Sequence, residues 1–439
     1  MSIEKMVEDL KTEMKSIYSH KACLSEDLFS LCPHCRKRII DSIVEEEYLA
    51  LKNKCQECQP LRQKLTGQVI VLFEGLGFSR DVLQKDFKNR STRKGLIVTL
   101  NGIFTTGPNV PLCFPQTCLF ELTYSCNLKC KHCCIGNRLT TKEMDTKSAL
   151  QVIKNVAEVG FRIFELTGGE PLMRDDLLAI TKEIKSYDMD VNLNTNGTLL
   201  SVEKVRELKP YIDEVIVSID SHEESMHDNF RGVVGAQKMA TKGIKNCIDN
   251  DIPVSTFTTL TKFNYNKLPE LVNFMKKLEV STATFFDLTS VGRASTVGSE
   301  FRLTINELKT AVDTLYELKK QSDVSIRVIV PYKLVTDERL LNKNTLLAGV
   351  YCMAGNNFIC ISPEGDIIPC TRMRITLGNA LTDEIKEVWI NSPVLKELRN
   401  RERLKGNCGK CEYKYICMGC RANPYAEHGD YLMEDPRCM

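Results

Sequence analysis

Apolar positions from Thr117 to Val330 switch between two periods. Short apolar or alternating runs read as strands: Leu119 to Thr123, Phe161 to Thr167, Val191 to Thr195, Asp213 to Asp220, Val254 to Leu260, Thr282 to Leu288 and Ser325 to Val330. Between them, apolar residues recur three and four apart, the spacing of one helical face. Thr146 caps the first such stretch, which runs to Val159 with Ala149, Val152, Ile153 and Val156 on one side and Gly160 as its stop. Asp176 to Lys185 follows, with Leu177, Ile180 and Ile184 aligned, then Val202 to Leu208, Ala236 to Ile248 and Leu268 to Leu278. Thr304-Ile305-Asn306-Glu307 forms a capping box for a helix through Leu318. Repeated strand–helix units with short connections predict a parallel sheet with helices outside. About six or seven units are too few for an eight-fold closed barrel. The pattern therefore predicts an α/β fold, a partial (β/α)6 TIM-like barrel over residues 117–330.

The first 116 residues follow other rules. Met1 to Tyr18 carries acids and lysines, with Ile3, Met6, Val7, Leu10, Met14 and Ile17 at helical spacing, which predicts an amphipathic helix rather than a signal peptide. Apolar runs between Arg38 and Lys54 suit a small hairpin. Val69 to Leu76 is apolar, Asp81 to Lys88 reads as helical, and Gly107-Pro108, Pro111 and Pro115 punctuate an extended segment. The expected organisation is an N-terminal module at 1–66, a connector at 67–116, the barrel at 117–330 and a cysteine-rich region at 331–439.

Composition narrows the functional classes. The protein has 439 residues, 43% of them apolar and 26% charged, which fits a folded globular protein with a large core. A net charge of +2 gives no electrostatic case for a nucleic-acid partner. No apolar run is long enough to span a membrane as a helix, so a cytoplasmic location is expected.

The 20 cysteines change the picture most. In a protein this long they point to metal binding rather than to a disulfide scaffold. Cys247 lies alone on an apolar helical face and is expected to be core. Cys32, Cys35, Cys55 and Cys58 form two Cys-x2-Cys knuckles that suit one tetrahedral site, with zinc or a single rubredoxin-like iron as the metal. Cys126, Cys130 and Cys133 read Cys-x3-Cys-x2-Cys directly after the first barrel strand. Three thiolates so close can hold three irons of a cubane and leave the fourth open; the alternative is three buried or zinc-binding cysteines. Cys134 is adjacent and not expected to ligate, because neighbouring residues rarely reach one iron. Cys352, Cys360, Cys370, Cys408, Cys411, Cys417, Cys420 and Cys438 gather near the end, enough for two fully ligated cubanes, with zinc knuckles as the alternative.

Ligands of a parallel barrel sit at the carboxyl ends of its strands. There the sequence places the cysteine loop, then Gly168-Gly169-Glu170-Pro171, then Thr195-Asn196-Gly197, then Ser218-Ile219-Asp220 followed by His227, Arg231 and Gly232, and finally Gly292-Arg293-Ala294. Together these motifs resemble those of the radical S-adenosylmethionine (radical SAM) enzymes. The resemblance implies a 4Fe-4S cluster on Cys126, Cys130 and Cys133 whose free iron chelates SAM and whose electron cleaves it to a 5′-deoxyadenosyl radical. It implies that Gly168, Gly169 and Glu170 hold the SAM amino group, and that Thr195 and Asn196 contribute to SAM or to the turn. By the same likeness Ser218 meets the ribose, and Gly292-Arg293-Ala294 closes over SAM. His132 lies near the adenine, or is a loop histidine. Arg231 holds a SAM or substrate carboxylate, or else pairs with Asp228 or Glu224. A reductant such as ferredoxin or flavodoxin is implied as partner.

The tail resembles the SPASM domain, with one or two auxiliary 4Fe-4S clusters. By order along the sequence one takes Cys352, Cys360, Cys370 and Cys420, and the other Cys408, Cys411, Cys417 and Cys438. Met418-Gly419 is one residue shorter than the usual interval. That interval, with Cys420-Arg421-Ala422 and Gly429-Asp430-Tyr431-Leu432, looks most like the haem-forming radical SAM subgroup, which implies a tetrapyrrole side chain as substrate. Ribosomal peptide or protein modification and carbon–carbon bond chemistry on lipids are the other substrate classes, the last suggested by the likeness of the Cys-Pro-x-Cys front module to archaeal lipid-joining enzymes. A non-catalytic iron–sulfur electron carrier or sensor is the alternative of another class. No residue stands out as a general base.

Overall fold

The computed structural model describes residues 117–136, 142–331, 334, 352–411, 414 and 417–438. The N-terminal helix, the four-cysteine module with Cys32, Cys35, Cys55 and Cys58, and the connector lie outside the described residues. Among the described residues no helix is long and apolar enough to cross a membrane.

The sequence alternation becomes a parallel sheet. Its strands are β1 (Thr117–Glu121), β2 (Ile163–Thr167), β3 (Asp190–Thr195), β4 (Glu214–Ser218), β5 (Val254–Leu260), β6 (Thr282–Asp287) and β7 (Ser325–Ile329), each paired in parallel with the next. The connecting helices are α1 (Thr146–Val159), α2 (Leu177–Ser186), α3 (Val202–Leu208), α4 (Glu224–Arg231), α5 (Ala236–Ile248), α6 (Leu268–Lys277), α7 (Ala294–Phe301) and α8 (Ile305–Gln321). The partial barrel is thus as expected, with a seventh parallel strand. The short helices α4 and α7 have no counterpart in the apolar pattern; α4 is mostly polar and too short to repeat its few apolar residues, Met226 and Phe230.

Local signals explain most boundaries. The cap of α1 is Asp145, not Thr146: its carboxylate accepts the Ser148 N–H at 2.8 Å, and Gly160 closes the helix at φ 94°. Thr304 and Glu307 form the reciprocal capping box of α8. Asp176 precedes α2 without capping it, because Arg174 takes both its oxygens at 2.7 and 2.6 Å. The buried faces of α1, α2, α3, α5, α6 and α8 pack into one core with the sheet, while Phe230 of α4 and Ala294 and Phe301 of α7 form a smaller cluster with Leu288; Cys247 is fully buried in the main core, as expected.

The cysteine-rich region continues the sheet at its other edge. β8 (Phe358–Ile361) runs parallel to β1, with Leu119 opposite Cys360. β9 (Asp366–Ile368) turns back antiparallel and β10 (Gly378–Asn379) follows, giving the order β10-β9-β8-β1-β2-β3-β4-β5-β6-β7. Four short helices follow: α9 (Ile385–Asn391), α10 (Pro393–Arg399), α11 (Gly406–Lys410) and α12 (Ala422–His428). Trp389 of α9 is fully buried, edge-on to Phe161 at 6.4 Å and under Arg399 at 4.4 Å. It fastens the tail to the barrel.

Candidate active site

Three turns at the carboxyl ends of β1, β2 and β3 interlock. The Gly169 and Glu170 N–H groups donate to the Thr123 and Ser125 carbonyls at 2.7 and 2.8 Å. The approach is so close that a Cβ on Gly169 would lie 2.2 Å from Ser125 O, and one on Gly168 (φ 131°) 2.4 Å from Thr123 O. The Glu170 carboxylate is fully buried and accepts from Leu172 N at 3.1 Å, Thr195 Oγ1 at 2.7 Å and Asn196 N at 2.8 Å. Burial pushes its pKa up to about 7, against the pull of these donors. Glu170 is therefore the bolt between the second and third turns. Asn196 Nδ2 donates to Asn127 Oδ1 at 2.8 Å, and Asn127 Nδ2 to Thr198 Oγ1 at 2.8 Å, which binds the third turn to the cysteine loop.

The cysteine loop has a floor of its own. Lys129 and Lys131 donate their N–H groups to the carbonyls of Arg231 and Phe230, the last residues of α4. Gly232 (φ 75°) allows this, since a Cβ there would lie 2.5 Å from Lys129 O. His132 stacks on Phe230, centroids 4.1 Å apart and rings 9° from parallel, and burial pushes its pKa down to about 3. Cys130 is buried; Cys126 and Cys133 are half-buried, and all three pack with Leu128, Val233 and Ala236. Leu128 N–H points at Cys126 Sγ at 3.4 Å, and Arg231 Nη1 at Cys130 Sγ at 3.8 Å. Burial pushes the Cys126 thiol up to about 11 and raises that of Cys130, which Arg231 opposes. Cys134 is half-buried, its thiol pushed up to about 12 by burial.

Arg231 pairs with Asp220, not with Asp228 or Glu224. Its Nε and Nη2 both lie 2.7 Å from Asp220 Oδ2, and both side chains are buried. Burial opposes each charge, yet the pairing holds the Asp220 carboxyl below its ordinary value and Arg231 above its own. Asp228 instead caps α5 through Gly235 N and Gln237 N. Sequence reasoning takes Asp220 only as a strand end, although an acid inside an apolar run is itself a signal, because it needs a buried cation. Ser218 stands half-buried at the end of β4, its hydroxyl without a partner among the described residues. Gly292 and Arg293 back the cysteine loop itself: Arg293 N donates to Cys133 O at 2.9 Å and its Nε to Cys130 O at 2.8 Å.

Part of the tail cysteine set gathers in space. Cys352, Cys370 and Cys420 lie near enough to feel one another's charge, and Cys360 is fully buried on β8. Cys352 also packs against Leu404, Cys408 and Met418. The short interval between Cys417 and Cys420 is a left-handed turn, with Met418 at φ 49° and Gly419 at φ 65°, and Gly419 N donates to Cys417 Sγ at 3.4 Å. Cys411 and Cys438 are half-buried. Arg437, beside Cys438, binds the buried Asp287 at the end of β6 at 2.5 and 3.1 Å. Arg374 clamps Glu121 at the end of β1 with two bonds of 2.7 and 2.8 Å. Neither pair is visible in the sequence, since each joins positions far apart along it. Among the described residues no three His, Cys, Asp or Glu side chains converge to hold a single metal ion. A cubane, whose thiolates each take a separate iron, asks for a wider spread.

Fold and site define a partial-barrel α/β enzyme with a three-cysteine loop at its active end and a cysteine-rich extension. Residues 120–275 match the Radical SAM superfamily and residues 352–412 the SPASM iron–sulfur cluster-binding domain. The protein is 32% identical over 339 residues to the AdoMet-dependent heme synthase of Methanosarcina barkeri, covering 74% of its own length and 96% of that relative. It is 27% identical to the PqqA peptide cyclase of Bradyrhizobium diazoefficiens, covering 74% and 86%. In fold it is similar to Streptococcus suis SuiB bound to precursor peptide SuiA, with TM-score 0.62, 19% identity and 82% of each protein covered. The protein belongs to the radical SAM superfamily, in its SPASM-bearing branch, alongside AdoMet-dependent heme synthases. Membership in this enzyme family displaces the alternative of a non-catalytic electron carrier.

Proposed function

We propose that this enzyme uses SAM to abstract hydrogen from an unactivated carbon of a tetrapyrrole side chain. The carrying observation is the single locked unit formed by the cysteine loop, the Gly-Gly-Glu turn and the Thr-Asn-Gly turn. Cys126, Cys130 and Cys133 would hold three irons; three soft donors on one apolar-packed loop, with N–H groups aimed at two sulfurs, suit a cluster with one open iron. When bound, the cluster and SAM supply a 5′-deoxyadenosyl radical by one-electron reduction. The protein's part is positioning. Gly168 and Gly169 bring bare backbone to the methionine amino group, while Glu170, both oxygens engaged, keeps Thr195 and Asn196 in place beside it. Ser218 offers a hydroxyl to the ribose. Arg231, paired with Asp220, supports the loop at Cys130.

Cys352, Cys360, Cys370 and Cys420, and Cys408, Cys411, Cys417 and Cys438, would hold auxiliary clusters. Cys32, Cys35, Cys55 and Cys58 would hold zinc or one iron. A low-potential ferredoxin or flavodoxin in the cytoplasm would supply electrons. The tetrapyrrole reading draws on the similarity to the heme synthase, and a peptide substrate on the similarity to the peptide cyclase.

Anaerobic reconstitution with iron and sulfide, SAM and a strong reductant tests the reading. About twelve irons per protein molecule are expected for three cubanes of four irons. 5′-Deoxyadenosine should form, disappear in Cys130→Ala, and rise more with a carboxylated iron porphyrin than with peptides. An iron-loaded protein that makes none sinks the enzyme reading; stimulation by peptide alone replaces the substrate.

A further inference from the structure

Two buried arginines donate to cysteine sulfur, one in each cysteine set, and they differ in their counter-ions. Arg231 reaches Cys130 Sγ at 3.8 Å while two of its nitrogens rest on Asp220, so its charge is largely cancelled beside the catalytic loop. Arg421 is fully buried and reaches Cys408 Sγ at 3.4 Å through Nη2. Its Nη1 is held by the Tyr431 and Met433 carbonyls at 3.0 and 2.6 Å rather than by a carboxylate. The acids around it, Asp430 and Asp435, are not hydrogen-bonded to it, although its charge helps to hold the Asp430 carboxyl below its ordinary value. Asp435 accepts from Cys420 N at 2.7 Å, Asn423 Nδ2 at 3.0 Å and Arg437 N at 3.0 Å. Asp430 accepts from Lys405 Nζ at 2.5 Å and Leu432 N at 2.9 Å. Asp435 adds its own N–H to Cys408 Sγ at 3.3 Å.

Cys408 thus receives two N–H donors, one of them cationic, whereas Cys130 receives one longer contact from a guanidinium already paired. A buried guanidinium held by carbonyls is costly unless an anion stands beside it, and a metal-bound thiolate is such an anion. Hydrogen bonds to sulfur and nearby positive charge raise the reduction potential of an iron–sulfur centre. Building on the auxiliary-cluster reading above, we propose that Arg421 is a positioning residue that orients Cys408 Sγ by its hydrogen bond and sets the metal centre on that sulfur at a higher potential than it would have without the guanidinium. Asp220 denies Arg231 the same effect on Cys130.

The test is a redox titration followed by electron paramagnetic resonance. It uses the full-length Cys126→Ala/Cys130→Ala/Cys133→Ala protein, reconstituted anaerobically, so that the catalytic-loop cluster is absent and any single iron on Cys32, Cys35, Cys55 and Cys58 is told apart by its mononuclear ferric signal. Arg421→Met should lower the midpoint of one signal by at least the equivalent of a tenfold change in reduced-to-oxidised ratio, about 59 mV for one electron. Arg421→Lys should recover part of it. Wild-type iron content with an unmoved midpoint overturns the proposal and leaves the auxiliary clusters standing. Iron lost from both Arg421 variants also overturns it, since the residue would then serve folding alone. A tail that binds no iron before any Arg421 change removes the auxiliary-cluster reading itself.

Discussion

At the residue scale, much of the site is made by atoms that cannot be added or charged without displacing a neighbour. Gly169→Ala would force a Cβ to 2.2 Å from Ser125 O and 2.6 Å from Tyr124 O, both backbone, so the two turns must part. We expect a loss of roughly 1–3 kcal/mol in urea unfolding, as for other strained backbone sites, and SAM binding by equilibrium dialysis reduced at least tenfold. Unchanged SAM affinity would show that the turn does not face the cofactor. Glu170 gives a pH signature. Its folded pKa of about 7 lies above the ordinary value of 4.5, so the folded state holds the proton more tightly than the unfolded state does. That contribution is complete below about pH 4.5 and is lost as pH rises through 7, on the order of 3 kcal/mol at 1.36 per unit. Urea midpoints of the wild type should therefore fall between pH 5 and 8 relative to those of Glu170→Gln; parallel curves would refute the buried-acid account. The glycines and Glu170 were legible in the sequence as a motif, but the reason for them was not: it lies in the carbonyls of Thr123 and Ser125, on a different strand end.

At the element scale, strands and long helices were legible because each buries one face and so repeats its apolar residues at a fixed period. Thus α1 ends at Val159 as its spacing predicts, and α8 begins at its capping box. The polar α4 was not legible, although its carbonyls carry the cysteine loop. Gly232→Ala should disturb that support, because Lys129 O lies 2.5 Å from the new Cβ and φ is 75°. The expected result is lower iron retention after gel filtration, with helix content unchanged by circular dichroism. Trp389 shows how a single side chain joins elements. Trp389→Ala should cost about 3–5 kcal/mol by denaturant unfolding, since the indole is fully buried between Phe161 and Arg399. A cost below about 1 kcal/mol, the size of an ordinary surface change, would mean that α9 does not fasten the tail.

At the scale of the whole molecule, barrel and tail share one sheet and, among the described residues, the ion pairs Glu121–Arg374 and Asp287–Arg437, whose carboxylates are buried. Each pair begins at the carboxyl end of a barrel strand and ends in a tail segment that carries cysteines. Arg374→Met would strand the Glu121 carboxylate, which is 1% exposed. Removing one partner of a buried pair typically costs about 3–5 kcal/mol. The double variant Glu121→Gln/Arg374→Met should be milder than the single, and a double-mutant cycle by urea unfolding measures the difference. Additive effects would show that the pair is not coupled across the seam.

The order of residues by itself determined the barrel class, the strand ends that carry chemistry, and the three-cysteine loop. Those features are local: a period, a cap, or a spacing within one turn. Tertiary structure decided what lies between distant segments. It placed Arg231 on Asp220 rather than on the helix neighbours Asp228 or Glu224, set β8 beside β1, and put a buried Arg421 against Cys408. Such choices depend on which desolvated charges and sulfurs meet in the folded interior, where an unmatched charge is too costly to leave, and no periodicity along the sequence records that meeting.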